Sequence, residues 1–131
     1  MIDRTALKRI ARARLKDAEA LCRNRRYDGA RYLCGYSIEL ALKSRICRTL
    51  KWKEFPEETN EFQGLTSLKT HNLDILLRLS GVEEKIKTNY MVDWSIVASW
   101  DPQIRYNPVG SAQRNDVRNM LASAKTLLRV V

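Results

Sequence analysis

Between Asp3 and Arg23 the apolar positions Leu7, Ala11, Leu15, Ala18 and Cys22 recur every three or four residues, with Ile10 and Leu21 beside them. One such stripe on a charged segment predicts an amphipathic helix, and Asp3 stands where a cap belongs. "NRRYDG" (24–29) then holds Asn, Asp and Gly and reads as a tight reversal. A short connection makes the next helix antiparallel to the first. That second helix is expected from about Asp28 to Leu50. Leu33, Cys34, Ser37, Ile38, Leu40, Ala41, Ser44 and Cys47 cover a wide arc of it, as a helix at the centre of a bundle requires. Ala30, Gly35, Ser37, Ala41 and Ser44 are small enough for neighbours to approach closely.

"KWKEFPEETNEFQGLTS" (51–67) has no clean period and contains Pro56 and Gly64. It is expected to be the longest loop, with a short acidic turn. "THNLDILLRLSG" (70–81) predicts a short helix capped by Thr70 and stopped by Gly81. Ser80-Gly81-Val82-Glu83 fits a capping box for a fourth helix carrying Val82, Ile86, Tyr90, Trp94, Val97 and Trp100. The prolines of "WDPQIRYNP" (100–108) end that helix. A last helix, from about Ser111, places Val117, Met120, Leu121, Ala124, Leu127 and Leu128 on one face. No segment alternates with the strand period and no repeat is visible. The expected fold is all-α: a single domain over residues 1–131, built as an antiparallel up-and-down bundle of about five helices.

Composition narrows the function classes. No apolar run approaches the roughly 20 residues of a membrane span, and the charged N-terminus has no apolar signal core. The three cysteines, Cys22, Cys34 and Cys47, are odd in number and widely spaced, which predicts packed, reduced thiols in a cytoplasmic protein. The net charge of +9 is lopsided: residues 1–53 hold 15 Lys and Arg against 5 Asp and Glu, and residues 54–131 hold 9 against 10. The basic half either attracts an anionic partner, such as nucleic acid or nucleotide, or is a solvated helix face.

Several chemistries lack their residues. His71 is the only histidine, and no two cysteines lie within ten residues of each other, so no metal site is expected. No Gly-rich phosphate loop and no nucleophile elbow is present, and no cofactor is expected. Glu57-Glu58 and Glu83-Glu84 read as solvated surface pairs.

One constellation remains. Tyr32, Tyr36, Glu39 and Lys43 share one face of the second helix at steps of three or four. The strip is either a local ion pair beside two rings, or a cleft wall whose rings stack on a base and whose lysine meets phosphate. Arg105-Tyr106 likewise has two readings. Tyr106 plugs the end of the bundle while Arg105 satisfies helix carbonyls or pairs with Glu39, or Arg105 opens onto the same cleft and receives a phosphate with Lys43.

The ordered set "RYDGARYLCGYSIELALKSRI", "THNLDILL", "RYNP" and a last helix with "ASAKTLL" resembles the HEPN family, the higher eukaryotes and prokaryotes nucleotide-binding domain. The matching positions are Tyr27, Ala30, Glu39, Leu42 and Lys43, then Thr70, His71 and Leu73, then Arg105, Tyr106 and Pro108. Asn72 departs from a common Asp, and Asn107 separates Tyr106 from Pro108. The resemblance implies a helical bundle that forms a homodimer. Some members are metal-independent ribonucleases carrying Arg-x(4–6)-His; others bind nucleotides or substrates as partners of minimal nucleotidyltransferases. Ahead of His71 the motif positions are Gly64, Leu65 and Thr66, and no histidine follows Arg105. The expectation is therefore a non-catalytic member with no catalytic residues. Its ligand site would use Glu39, Lys43, Arg105, Tyr106, Tyr36 and Tyr32. It would pair with a minimal nucleotidyltransferase in a toxin–antitoxin or defence-like system. Two alternatives stand beside it: a ribonuclease with a non-standard site built from Arg105, Lys43 and Glu39, and a basic dimer that binds nucleic acid through its first helix. Trp52, Trp94 and Trp100, many large rings for a small core, support the homodimer expectation.

Overall fold

The computed structural model describes residues 2–56 and 70–131. The expected acidic turn, Glu57-Glu58 and Gly64 lie outside the described residues. The first helix, α1, spans Arg4–Arg23, with the Asp3 carboxylate accepting from the N–H groups of Thr5 and Ala6. Four of the five stripe residues, Leu7, Ala11, Leu15 and Ala18, are buried, and Cys22 is half-buried. The reversal is shorter than "NRRYDG" suggested: Arg25 turns the chain at φ 60, and α2 already begins at Tyr27 and runs to Thr49. Asp28 and Gly29 are thus first-turn residues. The acid there suits the helix dipole and serves a distant loop, described below.

The central position of α2 follows from its arc of small and apolar residues, which are buried from Ala30 to Cys47 on almost every side. It packs against α1, against α3 (Leu73–Ser80) and against α6 (Arg114–Val130). Gly35 shows why a small residue is needed: the indole of Trp100 lies directly over it.

Three boundaries differ from the sequence reading. Asn72, not Thr70, caps α3; its Oδ1 accepts from Ile75 N–H at 3.1 Å, while Thr70 Oγ1 accepts from Asn72 N–H at 3.0 Å. Gly81 stops α3 at φ 82 as expected, but the capping box does not form, because Ser80 Oγ accepts from Val82 N–H and not from Glu83. The single fourth helix is two, α4 (Glu83–Asn89) and α5 (Met91–Val97), divided at Tyr90 with φ −132 and ψ 30. Two side-chain ties direct α5 away from a straight continuation: Trp94 Nε1–H donates to Asp74 of α3, and Ser123 of α6 donates to Asp93. The described residues therefore hold six α-helices instead of about five.

Ile2–Asp3 also pairs antiparallel with Glu54–Phe55, a short sheet too brief to leave an alternating pattern. Residues Pro102–Tyr106 form a 3-10 turn, and α6 starts at Arg114, three residues later than Ser111. One apolar core joins all six helices. Trp94 and Trp100 belong to it, at 2% and 3% exposure, and Trp52 is half-buried against it. Trp94 and Trp100 are core residues and Trp52 packs against the core, so the rings give no support to a dimer surface. Among the described residues no helix is long and apolar enough to cross a membrane.

Candidate functional site

The helical spacing of α2 does align Tyr32, Tyr36, Glu39 and Lys43. The Tyr32 and Tyr36 rings are stacked, with centroids 6.3 Å apart and planes within 2° of parallel. Beneath them Trp100 meets Tyr32 at 6.1 Å. Burial pushes the Tyr36 hydroxyl pKa above its ordinary value, with the Glu39 charge adding to the effect.

At the C-terminal end of this strip sits Glu39, only 1% exposed. A buried carboxylate is costly unless it is bonded, and both its oxygens have partners. Lys43 Nζ donates to Oε2 at 3.3 Å, and His71 Nδ1 lies 2.7 Å from Oε1. Lys43 also rests over the Phe55 ring at 5.4 Å. His71, held just ahead of α3 by the Asn72 and Thr70 bonds, keeps its side chain 64% exposed. A neutral imidazole bonded through Nδ1–H to a carboxylate has Nε2 left for other work. His71 is the residue that sequence reasoning undervalued. It has no partner at motif spacing along the chain, but it has Glu39 across the fold; the available signal was that its "THNL" segment and Glu39 both matched one family pattern.

At the N-terminal end of the strip lie Arg105 and Tyr106, brought there by the 3-10 turn. The Arg105 guanidinium is stacked over the Tyr106 ring at 4.9 Å. Hydrogen bonding to Tyr106 and then to Tyr32 holds its pKa above the usual arginine value. Tyr106 is 73% exposed, so it does not plug the bundle; Trp100 does. Arg105 pairs with neither Glu39 nor a helix-terminal carbonyl among the described residues. A cavity of about 240 Å³ opens beside it, lined by Asp28, Tyr32, Ile104, Arg105 and Asn107 among others.

The loop carrying this end is fixed by Asp28. Its carboxylate accepts from Gly110 N–H at 2.7 Å and from Ala112 N–H at 3.0 Å, and these bonds, Gly110 first, lower its pKa. Nothing in the local sequence marks Asp28 for this, since its partners are more than eighty residues away.

The six expected site residues therefore form one strip with two ends. Lys43 and the Tyr32 contact of Arg105 are separated by about three helical turns, roughly 16 Å at 1.5 Å per residue. The two cations do not converge on one phosphate. Among the described residues no cluster of three or more His, Cys, Asp or Glu is placed to hold a metal ion.

A helical bundle whose central helix carries a stacked polar-aromatic strip is the class of protein that this fold and site define. Residues 5–58 match the HEPN domain family model, a stretch that includes α1, α2 and the Tyr32–Lys43 strip. His71, Arg105 and Tyr106 lie beyond the match. No curated protein and no solved structure matches the chain. The family match supports a nucleotide- or RNA-related role in general terms.

Proposed function

We propose that the protein is a non-catalytic, nucleotide- or substrate-binding HEPN-type domain extending over the whole chain, and that it acts as a homodimer beside a minimal nucleotidyltransferase in a toxin–antitoxin or defence-like pairing. The observation that carries the binding part is the Arg105 end of the strip. An exposed guanidinium stands beside Tyr106 and Tyr32, at the mouth of a cavity, and is ion-paired with no carboxylate among the described residues; Asp28, which lines the same cavity, is engaged by the Gly110 and Ala112 N–H groups. A phosphate would take charge-assisted hydrogen bonds from Arg105, and a base would stack on an exposed ring. The partner and the dimer rest on the family resemblance.

Calorimetry with AMP and ATP tests the site. Wild type binds weakly, because no glycine loop supplies backbone donors, and Arg105→Ala and Tyr106→Ala each abolish the heat while the melting temperature holds. A wild type that shows no heat at millimolar nucleotide, or two variants that bind like it, refutes the site.

The Glu39–His71 pair favours a second reading, in which an oriented imidazole does acid–base work on RNA. On the main reading, purified protein leaves single-stranded RNA and tRNA intact. Cleavage that disappears in His71→Ala would establish the second reading instead.

A further inference from the structure

A larger cavity lies on the opposite flank of α2 from the 3-10 turn, where the start of α1, the second half of α2 and the end of α6 meet. It has a volume of about 450 Å³, within the range of ligand pockets. Arg4, Lys8, Arg12, Arg45 and Arg48 line it, and no acidic side chain does. None of these five cations is ion-paired among the described residues. Arg45 Nε is buried without a hydrogen-bond partner, and the same guanidinium reaches only a main-chain oxygen of Val131, at 3.5 Å. Burial and then the neighbouring Arg48 charge depress the Arg45 pKa. Like charges held together at a half-dry site, with a donor left over, suit an anion with more than one negative group.

A second basic cavity, of about 550 Å³, lies at the other end of the α1–α6 pair, where the end of α1 meets the start of α6. Arg23, Arg25, Arg114, Arg118 and Lys125 line it; its one carboxylate, Glu19, is held by Lys125 at 3.4 Å. Tyr27 adds a ring there, whereas no aromatic side chain lines the first cavity. The helices run antiparallel, so the first cavity takes the end of α6 and the second takes its start. With α1 about 30 Å long, the cations form a track too long for a free polyphosphate and matched to several nucleotides. Arg45 is half-buried with its Nε covered, and the rigid convex surface of a duplex follows such a recess less closely than a flexible single strand.

We propose that the α1–α6 groove binds the backbone of a single-stranded nucleic acid, with phosphates seated around Arg45 at one end and around Arg118 at the other. This site shares no residue with the Arg105–Tyr106 end of the strip, so either can fail without the other.

The test is fluorescence anisotropy with a labelled single-stranded 20-nucleotide RNA over a salt series. Lys8→Gln/Arg12→Gln and Arg118→Gln/Lys125→Gln change exposed residues only, so the fold survives, as circular dichroism will verify. Each pair is expected to weaken binding about tenfold and to flatten the log–log salt slope by about 1.4, from roughly 0.7 per phosphate contact. Lys87→Gln, on α4, leaves both quantities unchanged. The proposal is overturned by absent binding at low salt, or by either pair leaving the slope untouched. It is equally overturned by duplex RNA binding as tightly, or by tripolyphosphate competing mole for mole, which would make the first cavity a small-anion site.

Discussion

Replacing Gly35 by alanine sets two effects of opposite sign against each other. Alanine is the better helix former by roughly 0.5–1 kcal/mol, so propensity alone makes Gly35→Ala stabilising. The new Cβ would stand 2.2 Å from three ring atoms of Trp100. Carbon atoms settle at about 3.5–4.0 Å, so the indole must retreat by well over an ångström. It has little room, being 3% exposed and backed by Tyr32. Overpacking costs about 1–3 kcal/mol, and expelling the ring altogether costs about 3–5 kcal/mol. The net expectation is a loss of about 0.5–4 kcal/mol, a fall in Tm of roughly 2–15 °C. Urea unfolding followed by far-UV circular dichroism measures it without relying on tryptophan emission. The cause is isolated by Trp100→Leu: with the ring gone, Gly35→Ala should cost at least about 1 kcal/mol less than in the wild type. A Gly35→Ala variant with raised Tm, or strictly additive losses in the double variant, would refute the packing of Trp100 on α2.

Asp28→Ala releases the Gly110 and Ala112 N–H groups and is expected to cost on the order of 1 kcal/mol, since the bonds are charge-assisted but half-exposed. The lowered pKa fixes the sign of its pH dependence: the stabilisation is present above the ordinary value of 3.8 and is lost as pH falls through the folded-state value. Wild type should therefore lose more Tm than Asp28→Ala between pH 6 and pH 3, and equal losses would contradict this. Burial pushes the thiol of Cys34 up to about 12 and that of Cys47 up to about 11. Iodoacetamide at pH 8 followed by mass spectrometry should modify Cys22 first, with Cys34 and Cys47 labelled only after denaturation; early labelling of Cys34 would show that the α1–α2 interface opens.

The long helices were readable from the chain, because α1 and α6 each bury one stripe and α2 carries the wide small and apolar arc of a central helix. The break at Tyr90 was not. Its periodicity continues through Trp94 and Val97, and the bend comes from Asp74 and Asp93, whose bonds join α5 to two other helices. The site divides in the same way. Tyr32, Tyr36, Glu39 and Lys43 were legible as a strip because α2 itself fixes their spacing. Whether Arg105 would reach Glu39 or Tyr32 depended on the path of a proline-containing turn. That path is set by Asp28, which no local pattern connects to Gly110 and Ala112. The same distance in sequence concealed the pairing of His71 with Glu39.

The two ends of the strip differ in what they can still bind. Lys43 already serves a carboxylate and an aromatic face and is largely covered, at 16% side-chain exposure. Drawing it toward a phosphate would leave Glu39 buried with His71 alone, a loss in the class of a broken buried pair. Lys43 therefore belongs to the support of the bundle. Arg105 has the opposite balance. Its neighbours, the Tyr106 ring on which it stacks and Tyr32, carry no charge to cancel its own. An incoming anion there displaces no carboxylate, and the fold keeps every buried bond it had. On the proposed reading, the phosphate of a nucleotide therefore docks at the Arg105 end. The Glu39 end keeps α2, α3 and the imidazole in register, and among the described residues there it is His71 that turns its side chain to solvent.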